Sequence, residues 1–336
     1  MPSDTRLSAN RVRCRRTPGI GHVESHFLKA NSPDGRRALW LKHTAFVPSD
    51  RELGSEGEVW AIAFERGRPG FPRGVRSTYP LASVEWSVEP FYVQAPGARL
   101  EQGRAAGSAE NESHRIGWEL DLEGDTPALF PFPWSSMYSG SFPKQKTTTP
   151  FPNALATGKV TIDGETWEIA GWPAMQGHNW GRGHADKYAW LHTNLWEAGS
   201  HAPAWFEGFC GKVKVGPITT PWLGVAVLQL GDQTFRFDGL RSLLSRGHEI
   251  GNDFWNFDLR EGGYRLTGAA SSDPKAMAGL HYGNPDQTTT YCLNSKLALL
   301  NLTLSRPGQP DLQLTSNAAA LEIGTKDPRH GVPMLL

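Results

Sequence analysis

The sequence predicts an all-β protein whose antiparallel strands close into barrels or packed sheets, with little helix. Two observations carry that expectation. Apolar and polar residues alternate over short segments with almost no helical spacing, and 37 glycines and 25 prolines recur between those segments as turn residues do. A third is geometric: more than a dozen such segments cannot remain one open twisted sheet without long unprotected edges.

In chain order, "RLSANRVRCRR" is basic and has no apolar stretch, so residues 1–19 read as a disordered basic tail rather than a secretory leader. Strands follow in "ESHFLKAN", "ALWLKHTAFV", "EVWAIAFER", "SVEWSVE" and "HRIGWELDL". The segment 131–154, "PFPWSSMYSGSFPKQKTTTPFPNA", is dense in Pro, Ser and Thr and reads as a long loop. In "GKVTIDGETWEIAG" the pair Asp163-Gly164 supplies a two-residue turn, which sets Val160 opposite Trp167 and Lys159 opposite Glu168. A break near Gly171 to Gly177 divides the chain into residues 20–172 and 173–336. Beyond it, "AVLQLGDQTFRF" turns at Gly231-Asp232 and sets Leu228 opposite Phe235 and Ala226 opposite Phe237. "NFDLREGGYRL" is a third hairpin, "TTTYCLN" and "LQLTSNAAALEI" are further strands, and "LRSLLSRG" is the best short helix.

Composition excludes several function classes. With 34 Lys and Arg against 34 Asp and Glu, nothing favours nucleic acid as a partner. Cys14, Cys210 and Cys292 are odd in number and widely spaced, which argues against a disulfide framework or a thiolate zinc site and suits a reducing, cytoplasmic compartment. The longest apolar run, "PWLGVAVLQLG", is about half of what a membrane-spanning helix needs, although contact with a membrane surface stays open. No phosphate loop, dinucleotide fingerprint or nucleophile elbow is present, so no cofactor is expected.

The densest chemistry lies in "QGHNWGRGHADKYAWLHTNLW", residues 176–196. His178, His184 and His192 with Asp186 match no familiar metal-ligand spacing, so no metal is expected. After the turn-like "GRGHAD", strand alternation puts Tyr188, Trp190, His192, Asn194 and Trp196 on one face and Lys187, Ala189, Leu191, Thr193 and Leu195 on the other. The first face suits the lining of a ligand cavity inside a barrel, and the second suits packing against another layer.

The same stretch, preceded by "EIAGWPAMQG", resembles the signature of the tocopherol cyclase and carotenoid 1,2-hydratase superfamily: an N-W-G turn, then a strand with Trp, a polar residue, Asn and an aromatic on one face. Here those positions are Asn179, Trp180 and Gly181, then Trp190, His192, Asn194 and Trp196. "HVESHFLKANSPDGRRALWLKHTAF" is similar to the opening strand pair of that group, with Glu24 at its recurrent acidic position. The resemblance implies two tandem lipocalin-like (calycin) barrels with a hydrophobic ligand site between or within them. "SHFLKAN" replaces the aromatic opening of the cyclases, and "RGHADKY" stands where they carry a Phe-Pro element, so the substrate is left open.

An isoprenoid hydratase or cyclase must protonate an alkene, which calls for an acid beside a dry pocket and for π faces to stabilise the cation. Asp186, His184 and His178 are the candidate acids, Trp190 and Trp196 the cation-stabilising faces, and His192 and Asn194 the groups that orient water or a phenol. Glu24 either reaches the cavity or pairs with Arg36 or Arg37. A carrier of a prenyl lipid, or a pericyclase acting by shape, needs the same aromatic wall without the acid. The expected partner in every case is a hydrophobic small molecule.

Overall fold

The computed structural model describes residues 2–17, 19–197, 204–212, 214–215, 218–245 and 247–336, and its regular structure is almost entirely β. Residues 22–181 form one eleven-stranded antiparallel sheet. It runs from Arg73–Pro80 through Glu56–Glu65, Arg37–Val47, His22–Asn31, Glu165–Gly181, Gln145–Ile162 and Arg115–Glu123 to an edge at Glu85–Val88. Residues 187–325 form a second, ten-stranded sheet, in which Lys187–Thr193 lies between Ala204–Lys212 and Leu312–Thr325. Both sheets obey one rule. The first strand pairs with the last: His22–Asn31 with Glu165–Gly181, and Lys187–Thr193 with Leu312–Thr325. That connection curls each sheet around its own apolar core, and it makes the chain one architecture used twice.

The hairpin registers are as the turn chemistry predicts. Val160 faces Trp167, Lys159 faces Glu168, Leu228 faces Phe235 and Ala226 faces Phe237. Asp163 and Gly164 both take positive φ, +50° and +91°, as the tight turn requires. "NFDLREGGYRL" turns at Gly262-Gly263, and Leu240–Leu243 is a single helical turn. Among the described residues, no helix is long and apolar enough to cross a membrane.

Three expectations need correction. The N-terminal segment is ordered: Pro2–Asn10 is a helix, and Arg6 Nη2 donates to the carbonyls of Gly124 (2.6 Å) and Thr126 (2.9 Å) while its guanidinium covers the Phe151 ring. These partners are distant in sequence, so local composition carries no sign of them. The break placed at residues 172/173 falls inside the strand Glu165–Gly181, and the sheets change between residues 181 and 187. Gly171, with φ +65°, is the extra residue of a register shift in this strand, so a bulge glycine reads like a linker. The loop expected over 131–154 ends at Lys144. Gln145–Ile162 is a strand that tolerates Pro150 and Pro152 because its register shifts around them.

Candidate functional site

Strand alternation decides which side chains meet between the sheets. In His22–Asn31, Leu28 and Ala30 enter the first core, while Phe27 meets Trp190 edge-on and Lys29 reaches Asn194 of the second sheet. The neighbouring strand sends Leu39 and Leu41 inward and turns Trp40 and Lys42 toward Tyr282 and Cys292. From the other side, Lys187–Thr193 gives Ala189 and Leu191 to its own core and turns Tyr188, Trp190 and His192 toward the first sheet. The two faces of this strand are therefore composed as predicted, but the aromatic one lies between the sheets and not inside a barrel. The aliphatic face already fills the second core.

A cavity of about 590 Å³ opens between the second sheet and the segment from Phe132 to Gln145 that leads into the first, a size that suits a small organic ligand. Phe132, Met137, Phe142, Phe209, Leu223 and Val225 supply apolar walls, and Lys144, Asp186, Lys212, Asp286 and Lys326 the charges. A chamber of about 50 Å³ shares Phe132, Gln145, His184 and Phe209 with it and is otherwise bounded by Trp40, Lys42, Tyr188, Trp190, Tyr282 and Glu322 among others.

His184 and Asp186 both reach the outer cavity. Asp186 is half-exposed and ion-paired with Lys326 at 3.0 Å. His184 is buried; its Nδ1 and its backbone N–H both face Asn284 Oδ1, at 3.1 and 2.8 Å. Since Asn284 Nδ2 donates to Thr290, that oxygen is an acceptor, so His184 Nδ1 carries the proton and Nε2 is left as an acceptor. Burial, and then the charge of Lys42, push this imidazole down to about 3, so it is neutral near pH 7. Asn179, Tyr188 and Trp190 line the inner chamber. His192 and Asn194 instead tie the sheets together, His192 Nε2 to the Pro152 carbonyl (2.9 Å) and Asn194 Nδ2 to Asn153 (3.1 Å) and the Ala174 carbonyl (2.9 Å). Trp196 lies past the end of its strand at Thr193, where alternation lapses; it packs on the second core and donates to the Ala204 carbonyl.

His178, Trp180 and Glu24 lie on the first sheet's inner face, away from the cavity. His178 Nε2 lies 2.8 Å from Glu24 Oε1 and its Nδ1 2.7 Å from the Ala9 carbonyl, an arrangement satisfied only when both nitrogens donate. His22 reaches the other Glu24 oxygen at 3.0 Å, and the Arg13 N–H donates to Oε1 at 2.8 Å. Burial raises a carboxyl's pKa, but the hydrogen bonds from His178 and His22 outweigh it and hold Glu24 well below the usual range. His26 stacks on His178 at 3.9 Å, donates to the Asn10 carbonyl, and is held neutral by burial and by the charge beside it. Trp180 stacks on the other side of His178 at 4.7 Å.

Donor atoms of Cys14, His22 and Glu24, and of Glu24, His26 and His178, lie within 4.8 Å of one another. These groups are poor metal sites as arranged. Two rings stacked with 8° between their planes cannot aim in-plane lone pairs at one ion, and Glu24 already accepts three hydrogen bonds. The cluster instead clamps the N-terminal segment, whose Ala9 carbonyl also accepts from Thr148.

Several residues of the inter-sheet site escape sequence reasoning. Lys296 donates to Glu322 (2.7 Å) and Asn294 (2.6 Å), the Lys42 ammonium sits 3.7 Å from the centre of the Tyr282 ring, and Glu207 accepts from Trp190 Nε1 (3.0 Å) and Thr149 Oγ1 (2.7 Å). Burial pushes the Glu207 carboxyl upward and keeps Tyr188 and Tyr282 protonated. One signal was available. Each of these charges interrupts an otherwise apolar strand, as in "LWLKHTAFV", "AWFEGFCGK" and "NSKLALL", and a strand buried on both faces has no solvent side to offer.

Comparisons with known proteins agree with this architecture. A family model described as tocopherol cyclase-like matches residues 147–325. An uncharacterised protein of Mycobacterium tuberculosis is 22% identical over 299 residues, covering 84% of this chain and 82% of the relative. Among solved structures, an AttH protein from Nitrosomonas europaea superposes with a TM-score of 0.51 at 12% identity, over 93% of this chain and 95% of that one. Kievitone hydratase from Nectria haematococca gives 0.50 at 11% identity, over 93% and 92%. At such identities the structural likeness speaks for the fold alone.

Proposed function

The chain belongs to the tocopherol cyclase-like family, and from that premise we propose that it binds an apolar isoprenoid- or polyketide-like molecule between its sheets and catalyses acid-assisted addition of water, or of an internal hydroxyl, across a C=C bond. The observation that carries the reading is a carboxyl buried directly behind the lining of a greasy cavity. Glu207 shares a strand face with Phe209 and Gly211, which line the cavity, and is bonded to Trp190, whose ring lines the inner chamber. A hydratase also uses this fold, which is support by analogy only.

The residues divide the chemistry between them. A carboxyl whose hold on its proton is strengthened by burial gives that proton to one alkene carbon, where the π pair forms the new C–H bond. The cation left on the other carbon faces the rings of Phe132 and Phe209, which line both the cavity and the inner chamber. Water or the internal hydroxyl adds to it and releases a proton, for which His184 Nε2 is the free acceptor at the cavity wall. Asp186 remains a candidate acid, but its solvated pairing with Lys326 suits a surface ion pair better.

The test is turnover of a panel of polyenes and prenylated phenols in ¹⁸O-labelled water, read by mass spectrometry. Hydration adds labelled water and cyclisation gives an isomer of unchanged mass. Glu207→Gln is expected to lose roughly 10²–10⁴-fold, with Asp186→Asn close to wild type. A large loss confined to Asp186→Asn moves the acid to the rim. Tight retention of an unchanged lipid without turnover makes the protein a carrier.

A further inference from the structure

The inter-sheet interface holds three buried lysines. Lys29, Lys42 and Lys296 are each no more than 4% exposed. Lys296 is satisfied by Glu322 and Asn294, and Lys29 by the side-chain oxygens of Asn31 and Asn194. Lys42 differs. Its ammonium rests on ring faces, 3.7 Å from the centre of Tyr282, 5.4 Å from Trp60 and 5.7 Å from Trp40. Among the described residues no carboxylate is in ion-pair contact with it. Glu58 bonds to Trp60 Nε1 and lies 3.7 Å from Arg76, while Glu322 and Glu207 are engaged as described above.

A second donor at the chamber beside Lys42 lacks an acceptor. Trp40 borders it with its indole N–H buried and without a partner among the described residues, and leaving such a donor unsatisfied is costly. Tyr188 and Tyr282, both protonated, stand on the same walls. About 50 Å³ is room for a single small polar group, given that a water molecule's share of liquid volume is about 30 Å³. The large apolar cavity adjoins it through Phe132 and Phe209.

We infer that the inner chamber receives an ionised oxygen, a carboxylate or phenolate, at one end of an otherwise apolar ligand, and that Lys42 is the residue that selects it. This deepens the reading above and rests on it: the tail occupies the outer cavity and the head supplies the acceptor that Lys42 and Trp40 lack. Burying a cation without a partner oxygen is costly, and a ligand that brings the anion with it removes that cost on binding.

Two probes with the same twenty-carbon polyene tail, all-trans-retinoate and all-trans-retinol, test this by quenching of tryptophan fluorescence in the intact protein. Retinoate is expected to bind at least about tenfold tighter than retinol, the effect of one charge-assisted hydrogen bond. Lys42→Met should remove the preference while leaving retinol affinity in place, and Lys42→Arg should keep it, which separates loss of charge from loss of fold. Equal affinities in the wild type, or a preference that survives Lys42→Met, overturn the assignment of Lys42 and leave the cavity reading standing. Failure of both probes to bind folded protein overturns both.

Discussion

The Glu24 cluster and the Lys42 cluster are both buried, both charged and both built on the same two opening strands, yet they end differently. Around Glu24 the carboxylate is matched: two imidazoles and a backbone N–H meet it, and the outward nitrogens of His26 and His178 end on carbonyls of the N-terminal segment. Around Lys42 a cation and an indole donor face aromatic rings and open space. The difference is one of strand face. Even positions of His22–Asn31 look into a core closed by the chain's own first residues, and odd positions look across a gap between sheets that pack imperfectly. A polar cluster that is internally matched holds a structure together, whereas one left short of acceptors beside a cavity is matched by something else.

The largest expected effect comes from unbalancing the matched cluster. Glu24→Ala strands the doubly donating His178 without its carboxylate, and breaking a buried pair by removing one partner costs roughly 3–5 kcal/mol. Urea denaturation should show a loss of that order. Hydrogen exchange at residues 5–17 should accelerate more than elsewhere, because the histidines that hold the Ala9 and Asn10 carbonyls lose their anchor. An N-terminal segment as protected as in the wild type would mean that the clamp is not what orders it.

Acid should loosen both clusters, by a smaller step for each group. Burial holds His43 near 4 and His184 near 3, with His26 and His192 also lowered chiefly by burial. An unfolded chain takes up these protons near pH 6.5, so the stability tied to the neutral rings is whole above that pH and falls below it. Each of His43 and His184 then gives up on the order of 2 kcal/mol by pH 5. Glu24, held below its ordinary range, adds its loss only as pH falls through the usual carboxylate region near 4. Thermal melts should drop steeply between pH 6.5 and 5; a flat profile there would show that the buried histidines are accessible to protons in the native state.

How much of this was legible in the sequence follows the same division. Hairpin registers were readable because period-two alternation and an Asp-Gly or Gly-Asp turn leave one pairing that matches apolar with apolar. Tyr188, Trp190 and His192 were correctly grouped on one face, but alternation assigns residues to sets and cannot say which set faces the protein's own core. Trp196 falls outside that set because the strand, and with it the period, ends at Thr193. The order of the N-terminal segment was invisible, since its contacts reach Gly124, Thr148 and His178. Buried lysines escape sequence reading because a charge in a strand usually marks a solvated face, and only the presence of a second sheet removes that face.

The smallest effect is the sharpest comparison of the two clusters. If Lys42 is a cation awaiting an anion, replacing it with Met of similar length removes an uncompensated buried charge and fills the same space with apolar atoms. Such exchanges are neutral or stabilising by about 1–2 kcal/mol, in contrast to the loss expected at Glu24. The aromatic cage offsets part of the burial cost through cation–π contact with Tyr282, so the gain should lie at the low end. Denaturation of Lys42→Met without ligand should therefore show stability equal to or slightly above wild type. A loss of several kcal/mol would mean that Lys42 has its partner within the chain, through Glu58 or Glu322, and that its cluster is as closed as that of Glu24.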